Sequence, residues 1–306
     1  MRIFPFYGLQ AGFLYMLTLA AAHLPRSVNA GAGAFIGFLM SAVLFKRRAI
    51  AIENIKNSIP YMLTHPLWNH RTSDPATIAG ETFRNLGHSF LEICRLYHGR
   101  GEHLLESVEI RGLENYNSAR EHGKGVIFFT GHCGNWELLA LAFSRITGEK
   151  LSVVARKQKN PYINRIAESL RNRYNNKVIY KDGALKHICA ELKKNGNVGL
   201  LADQSVSRGE GFLLNFLGRE AWTSKIPALI ARKTGATLLP VFIFREEGKN
   251  IITIFPPHNF CDCSSKKSLK LDTADLSRYV EIFAIKSPDQ WYWVHRRWKH
   301  TGEQTS

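Results

Sequence analysis

Gly125-Val126-Ile127-Phe128-Phe129-Thr130 runs directly into Gly131-His132-Cys133-Gly134-Asn135-Trp136-Glu137, and an apolar helical stretch follows. The first six residues carry no charge and read as the first strong strand of the chain. A strand that leaves through glycines into a helix forms a turn of the type where open α/β sheets bind their ligands. This turn holds a His and a Glu. Each helical residue rotates by about 100°, so residues five apart on one helix point away from each other. His132 must therefore lie in the glycine-flanked loop, with Glu137 in the first helical turn, if the two are to meet. Glu137 would then accept the Nδ1 proton and fix the tautomer, leaving Nε2 to take a proton from a hydroxyl. A loop histidine bonded to backbone, beside a glutamate favoured by the helix dipole, fits the same letters. Cys133 as a thiol nucleophile is the weaker alternative, because adjacent side chains diverge and small cysteines commonly fill cores.

Outward from this turn, Leu151–Ala155, Lys177–Tyr180, Val198–Ala202 and Thr237–Phe244 are further short apolar or β-branched runs. They alternate with helix-length periodic segments at Trp136–Ser144, Pro161–Asn175 and Gly183–Lys194. A hairpin is expected at Glu246–Asn250 with Gly248 in the turn, returning through Ile251–Phe255 to Pro256-Pro257. The pattern predicts an α/β fold: a single mixed, mostly parallel sheet flanked by helices and preceded by N-terminal hydrophobic helices. No repeat or linker divides the chain beyond them, so residues 46–306 are expected to form one catalytic domain.

Residues 1–45 are expected to anchor the protein to a membrane. Phe6–Leu24 contains no Asp, Glu, Lys or Arg, and a helix of that length, at about 1.5 Å per residue, nearly spans the hydrocarbon core. A signal peptide is the alternative, but only Arg2 precedes the run and the small-residue cleavage pattern is poor. A second uncharged run, Ser27–Phe45, contains Gly31, Gly33 and Gly37, which suits a helix packed closely on another or lying at the interface. Lys46-Arg47-Arg48 follows it, and the positive-inside bias places the remainder of the chain in the cytoplasm. Two buried core helices would satisfy the same window.

The 306 residues carry 41 Lys+Arg against 25 Asp+Glu, a formal net charge of +16. Such an excess points to nucleic acid, an anionic membrane or a phosphorylated substrate. No DNA- or RNA-binding module is recognisable, and nucleic acid would leave the uncharged N-terminal runs unexplained. Five cysteines, with Cys261 and Cys263 two apart, speak against a disulfide framework, and no zinc-type ligand set is present. No metal and no cofactor is therefore expected. A membrane-anchored hydrolase would use the same base on water, but the chain lacks a G-x-S-x-G nucleophile elbow.

His132-x4-Glu137 after its strand, Ala155-Arg156-Lys157 with Asn160-Pro161, Ala202-Asp203-Gln204, Asn215-Phe216-Leu217-Gly218 with Thr223, and the terminal Pro288–Trp298 block follow one another in order. Together they resemble the late acyltransferases of lipid A biosynthesis, within the lysophospholipid acyltransferase superfamily, and are similar also to phosphatidylinositol mannoside acyltransferases. The resemblance implies transfer of a fatty acyl chain from a thioester, usually acyl carrier protein with acyl-CoA the alternative, to a hydroxyl of a membrane glycolipid. It implies an enzyme on the cytoplasmic face of the inner membrane. The family's catalytic pair falls on His132 and Glu137, its arginine after the second strand on Arg156, and its Asp-Gln pair on Asp203 and Gln204. Asn135 and Asn160 join these as substrate-binding candidates. Phe216-Leu217-Gly218 departs from the two aromatics the family commonly places before that glycine, which bears on acyl-chain fit.

The chemistry itself asks for a base and for donors to the developing oxyanion, without metal or covalent intermediate. Backbone N–H groups around Gly134 and Asn135, or the Arg156 guanidinium, are the candidate donors. From Arg156 to Lys177 seven cations face the single acid Glu168, a stretch that suits lipid phosphates or acidic acyl carrier protein, or forms a solvated helix face. Trp291, Trp293, Arg296, Arg297, Trp298 and Lys299 fit either a membrane interface or core packing.

Overall fold

The computed structural model describes residues 3–261, 265–299 and 301; Cys263 lies outside them. Among the described residues nine strands are formed: β1 (Glu109–Arg111), β2 (Val126–Thr130), β3 (Leu151–Ala155), β4 (Lys177–Tyr180), β5 (Asn197–Leu201), β6 (Gly211–Phe216), β7 (Arg219–Ser224), β8 (Thr237–Glu246) and β9 (Lys249–Ile254). Seven make one sheet in the order β1-β9-β8-β2-β5-β3-β4. β8, β2, β5, β3 and β4 run parallel, β9 is antiparallel to β8, and β1 is parallel to β9. The β8–β9 hairpin turns at Glu247 and Gly248, both with positive φ, the backbone a two-residue hairpin turn requires. β6 and β7 form a separate antiparallel hairpin.

Every residue of β2 is buried, and its alternation divides the core in two. Ile127 and Phe129 pack with Val198, Ile188, Ile230 and Trp291, while Val126 and Phe128 pack with Leu138, Phe143, Tyr116 and Leu239. Period-two pointing of side chains feeds both faces of a strand covered on both sides.

The helices are α1 (Ile3–His23), α2 (Asn29–Val43), α3 (Phe45–Leu63), α4 (Pro75–Tyr97), α5 (Glu102–Glu106), α6 (Leu113–Glu121), α7 (Trp136–Thr147), α8 (Pro161–Arg173), α9 (Ala184–Lys193), α10 (Ile226–Thr234) and α11 (Lys266–Lys286). α2 and α4 approach so closely that a Cβ on Gly87 would sit 2.2 Å from the Gly33 carbonyl oxygen and 2.3 Å from the Gly37 nitrogen. The glycines of the second hydrophobic run thus serve helix–helix contact. α1 is tied to α8, since the Asn160 amide donates to the Tyr7 carbonyl at 3.1 Å. Among the described residues no single helix is long and apolar enough to cross a membrane; Arg26–Val43 and Phe45–Leu63 would do so only as a pair bent by 96°. The first hydrophobic run does form one helix, α1, of 21 residues.

Candidate active site

Thr130 and Leu201 are register partners at the ends of β2 and β5, and the Ala202 N–H extends the ladder to the Thr130 carbonyl at 3.1 Å. Two residues beyond each strand end stand His132 and Asp203, and they meet: His132 Nδ1 lies 2.7 Å from Asp203 Oδ1. Asp203 Oδ2 accepts the His132 backbone N–H at 2.9 Å and the Trp291 indole N–H at 3.1 Å. The carboxylate is buried, yet its pKa is lowered, because the charge and hydrogen bonds of His132 outweigh the penalty of burial. Burial likewise opposes charge on His132, but Asp203, by charge and hydrogen bond, and then Glu137 raise its pKa above the usual imidazole value. With Nδ1–H committed to a carboxylate, Nε2 carries the lone pair. There it faces the Gln204 amide nitrogen at 3.3 Å.

The His132–Glu137 contact expected from spacing is not formed. Glu137 turns to α8, accepting from Arg171 Nη2 at 2.5 Å and Nε at 3.1 Å. The reason is sheet order: β5 lies directly beside β2, so its exit loop reaches Nδ1 first, while the first turn of α7 faces α8. For the same reason Arg156, which follows β3, is separated from His132 by a strand rather than being its neighbour.

The turn is rigid. Gly134 has φ +53°, and a Cβ there would lie 2.3 Å from the Ile243 carbonyl oxygen. Its N–H donates to the Gln290 carbonyl at 2.8 Å, so that group is not free as an oxyanion donor. Asn135 caps α7 through Leu138 N–H at 3.2 Å and donates to Glu92 at 2.7 Å; Glu92 also receives Arg245 and Asn250. Asn160 caps α8 through the N–H groups of Tyr162 and Ile163. Both asparagines hold helix starts in place, which is enough to account for their burial. Cys133 is fully buried and bridges in antiparallel fashion to Trp291. Burial, then the nearby Asp203 charge, push its thiol well above the ordinary value, which removes the thiolate a nucleophile needs.

The segment after α11 closes the site, a role that its composition left open. Trp291 holds Asp203, the Tyr292 N–H donates to the His132 carbonyl at 3.0 Å, and the rings of Tyr292 and Trp136 lie 5.7 and 5.0 Å from the imidazole. Trp291 and Trp293 are core residues, and Arg297 is buried, bonded to the Trp222 carbonyl and Thr223 hydroxyl at 2.6 Å each. Leu217 is buried in the β6–β7 turn with its N–H on Glu281 at 2.8 Å. It lines neither of the cavities described next.

Two cavities converge here. The first, about 650 Å³, runs from His132 between α8, α9 and α10, with Val153, Val178, Leu185, Ile188, Leu200 and Ile230 in its wall and Arg156, Gln204 and the Glu137–Arg171 pair on its polar side. The second, about 1000 Å³, opens toward α2, α3 and α4. Trp136, Glu137, Gln204 and Ser205 line both. The basic run after β3 is partly spent on structure: Arg171 pairs with Glu137, Lys177 with Glu191, and Arg173 binds the Tyr97 carbonyl. Arg156 is exposed and carries no ion pair among the described residues.

A family profile described as bacterial lipid A biosynthesis acyltransferase matches residues 5–300. The lipid A biosynthesis palmitoleoyltransferase of Escherichia coli K12 is 24% identical over 280 residues, 90% of this chain and 86% of its own. A phosphatidylinositol mannoside acyltransferase of Mycobacterium tuberculosis is 25% identical over 232 residues, 74% of this chain and 71% of its own. Among solved structures, the 1-acyl-sn-glycerophosphate acyltransferase PlsC from Thermotoga maritima aligns over 84% of this chain and 97% of its own at 16% identity and a TM-score of 0.38.

Proposed function

The chain belongs to the bacterial lipid A biosynthesis acyltransferase family and is an acyltransferase, and we propose that it moves a fatty acyl chain from an acyl thioester to a hydroxyl of a membrane glycolipid with His132 as general base. The observation that carries this reading is the Asp203-bound imidazole, which lines a cavity of about 650 Å³ with a largely aliphatic wall. Its volume lies in the range of small-molecule sites, and its aliphatic wall suits a fatty chain better than a polar donor group.

In this mechanism His132 Nε2 takes the acceptor hydroxyl proton as the oxygen attacks the thioester carbonyl carbon. The tetrahedral intermediate collapses, the C–S bond breaks, and the imidazolium returns the proton to the departing thiolate. The products are an ester and a free thiol. Asp203 fixes the tautomer and stabilises the transient imidazolium. Glu137 adds negative charge nearby and holds Arg171 in the pocket; Arg171 or Arg156 then supplies positive charge for the oxyanion. Acyl carrier protein is the proposed donor, since the exposed Arg156, Lys157, Lys159 and Arg165 near the first cavity suit an acidic surface.

Membrane association is proposed through the N-terminal helices lying at the interface. Leu9, Phe13, Met16, Phe35, Phe38 and Val43 are all 60% or more exposed, and so many large apolar side chains exposed on α1 and α2, ahead of Lys46-Arg47-Arg48 in the chain, fit a bilayer surface rather than water. Inner-membrane location with the catalytic domain toward the cytoplasm follows from that charge placement. The test is mass spectrometry of lipids after incubating purified protein with acyl carrier protein or acyl-CoA thioesters and extracted glycolipid. Ester formation on the lipid supports the reading; free fatty acid alone indicates a hydrolase. Phe13, Phe35 and Phe38 changed together to Asn should abolish flotation with vesicles, and unchanged flotation would place the anchor elsewhere.

A further inference from the structure

The second cavity differs from the first in what stands at its mouth. Lys46 and Arg47 from the start of α3, and Arg296 and Lys299 from the C-terminal segment, line it together. All four are exposed, and none has a carboxylate partner among the described residues; Arg47 donates only to the Val294 carbonyl, at 3.2 Å. Four unneutralised cations from two segments far apart in sequence, converging on one opening, call for an anion. Behind them the wall is apolar, with Met40, Ile50, Leu86, Phe90 and Ile93. The same lining includes Ser205 and His295, whose Oγ and Nε2 are buried without a hydrogen-bond partner. Buried polar atoms are normally satisfied, so two orphans in one wall mark where a polar ligand belongs. The mouth also adjoins the exposed Leu44 and Phe45, at the apolar surface assigned above to the membrane.

We propose that this second cavity seats the acceptor: Lys46, Arg47, Arg296 and Lys299 grip an ionised phosphate group of a glycolipid, while Ser205 and His295 hydrogen-bond its sugar. The assignment rests on the acyl-transfer reading and deepens it. The acceptor then arrives from the membrane side and the donor chain from the other, and the two meet at Gln204, whose amide occupies the position of the attacking hydroxyl. Burial holds the pKa of His295 down at about 4, so at neutral pH its ring is uncharged and pairs with hydroxyls rather than with the phosphate.

The experiment uses the full-length enzyme in non-ionic detergent micelles, so that no lipid phosphate other than the acceptor's contributes. A disaccharide lipid bearing phosphate monoesters and its phosphatase-treated form serve as acceptors, with acyl-CoA and acyl carrier protein thioesters as donors. For the double variant Arg296→Gln with Lys299→Gln, the preference in kcat/KM for the phosphorylated acceptor should fall by about tenfold or more, as expected for losing charge-assisted contacts. The loss should appear in KM for the acceptor, and titration of acceptor without donor should show it too. Ser205→Ala should weaken both acceptors alike. An unchanged phosphate preference overturns the proposal. So does a rise in KM confined to the acyl carrier protein donor, which would make these cations a docking site for that acidic protein. A wild-type enzyme that forms no ester overturns the acyl-transfer reading itself, a result distinct from either.

Discussion

The loops that leave β2 and β5 end at the same edge of the sheet, start from paired residues, and are held very differently. The β2 loop is fixed by its own backbone: glycines permit a path that brings Gly134 against the Ile243 carbonyl, and the helix it enters is capped by Asn135. The β5 loop is fixed by what it holds. The Asp203 carboxylate collects two N–H groups from other segments besides the imidazole, and all three acceptor contacts reach across the fold. In the proposed mechanism one loop therefore supplies the base in a set position, and the other supplies the carboxylate that orients it. Glu137, though only five residues from His132, belongs to neither function in the same degree, because Arg171 already engages both its oxygens.

The sharpest way to break this comparison is to alter the long-range partner. Asp203→Asn should reduce kcat by about 10²–10⁴, the range seen when a general base loses its orienting carboxylate. The amide either presents N–H to Nδ1, forcing the wrong tautomer, or turns it toward the His132 and Trp291 N–H donors, where it repels them. His132→Ala should fall in the same range in a folded protein. Wild-type turnover in either purified variant would refute the assignment of the base.

The pH profile follows from the same pair. The proposed mechanism needs neutral His132, so kcat/KM should rise as pH climbs through its raised pKa, with the acid limb above the ordinary value of about 6.5. In Asp203→Asn burial is no longer opposed by that carboxylate, and the limb should move down. Stability runs by linkage: the raised His132 contributes fully below its unfolded pKa and loses that contribution as pH rises through the folded value. The lowered Asp203 contributes above its unfolded pKa and loses it as pH falls toward the folded one. Denaturant titrations of wild type and Asp203→Asn should therefore differ most between those limits. A profile that does not move would mean that another group carries the acid limb.

A smaller effect is expected from the short-range partner. Glu137→Gln removes one charge that raises the His132 pKa and leaves Arg171 half-buried without its pair, a loss of roughly tenfold in kcat at an effective dielectric near 20. Should Glu137→Gln match Asp203→Asn in depth, the comparison reverses, and the dyad read from spacing is the working one. Trp291→Phe lies beneath both: it removes one donor from a buried carboxylate, worth about 1.5–3 kcal/mol of stability, with the base still paired. Chemical denaturation measures it directly.

What the sequence made legible here was whatever a few consecutive residues decide. β2, β3 and β4 have the bounds their apolar runs indicate, the β8–β9 hairpin turns at Gly248, and His132 stands in a glycine-flanked loop. Asp203 was legible as a candidate but not as the partner of His132, since that depends on β5 lying between β2 and β3, an order no local pattern encodes. Asn135 and Asn160 had the right letters for substrate binding and for helix caps alike, and caps are what they form. The C-terminal tryptophans were ambiguous for a related reason: an aromatic-basic block reads the same whether it meets lipid or closes over a carboxylate.

The smallest expected effect on rate tests the immediate neighbour of the base. Cys133 is next to His132 in sequence, but its bridge to Trp291 turns the side chain into the core, where a Cβ on Gly131 would meet its sulfur at 3.2 Å. A nucleophile must be a thiolate and must be reached by substrate, and this thiol is neither ionised at neutral pH nor exposed. Cys133→Ser should therefore keep kcat within about twofold, while stability drops by about 1–3 kcal/mol because a hydroxyl desolvates less readily than a thiol. Rate and stability thus separate at this position, whereas at Asp203 both fall together. An acyl thioester trapped on Cys133 and seen by mass spectrometry would overturn direct transfer, and would move the chemistry from the β5 side of the imidazole to the segment that carries Trp291.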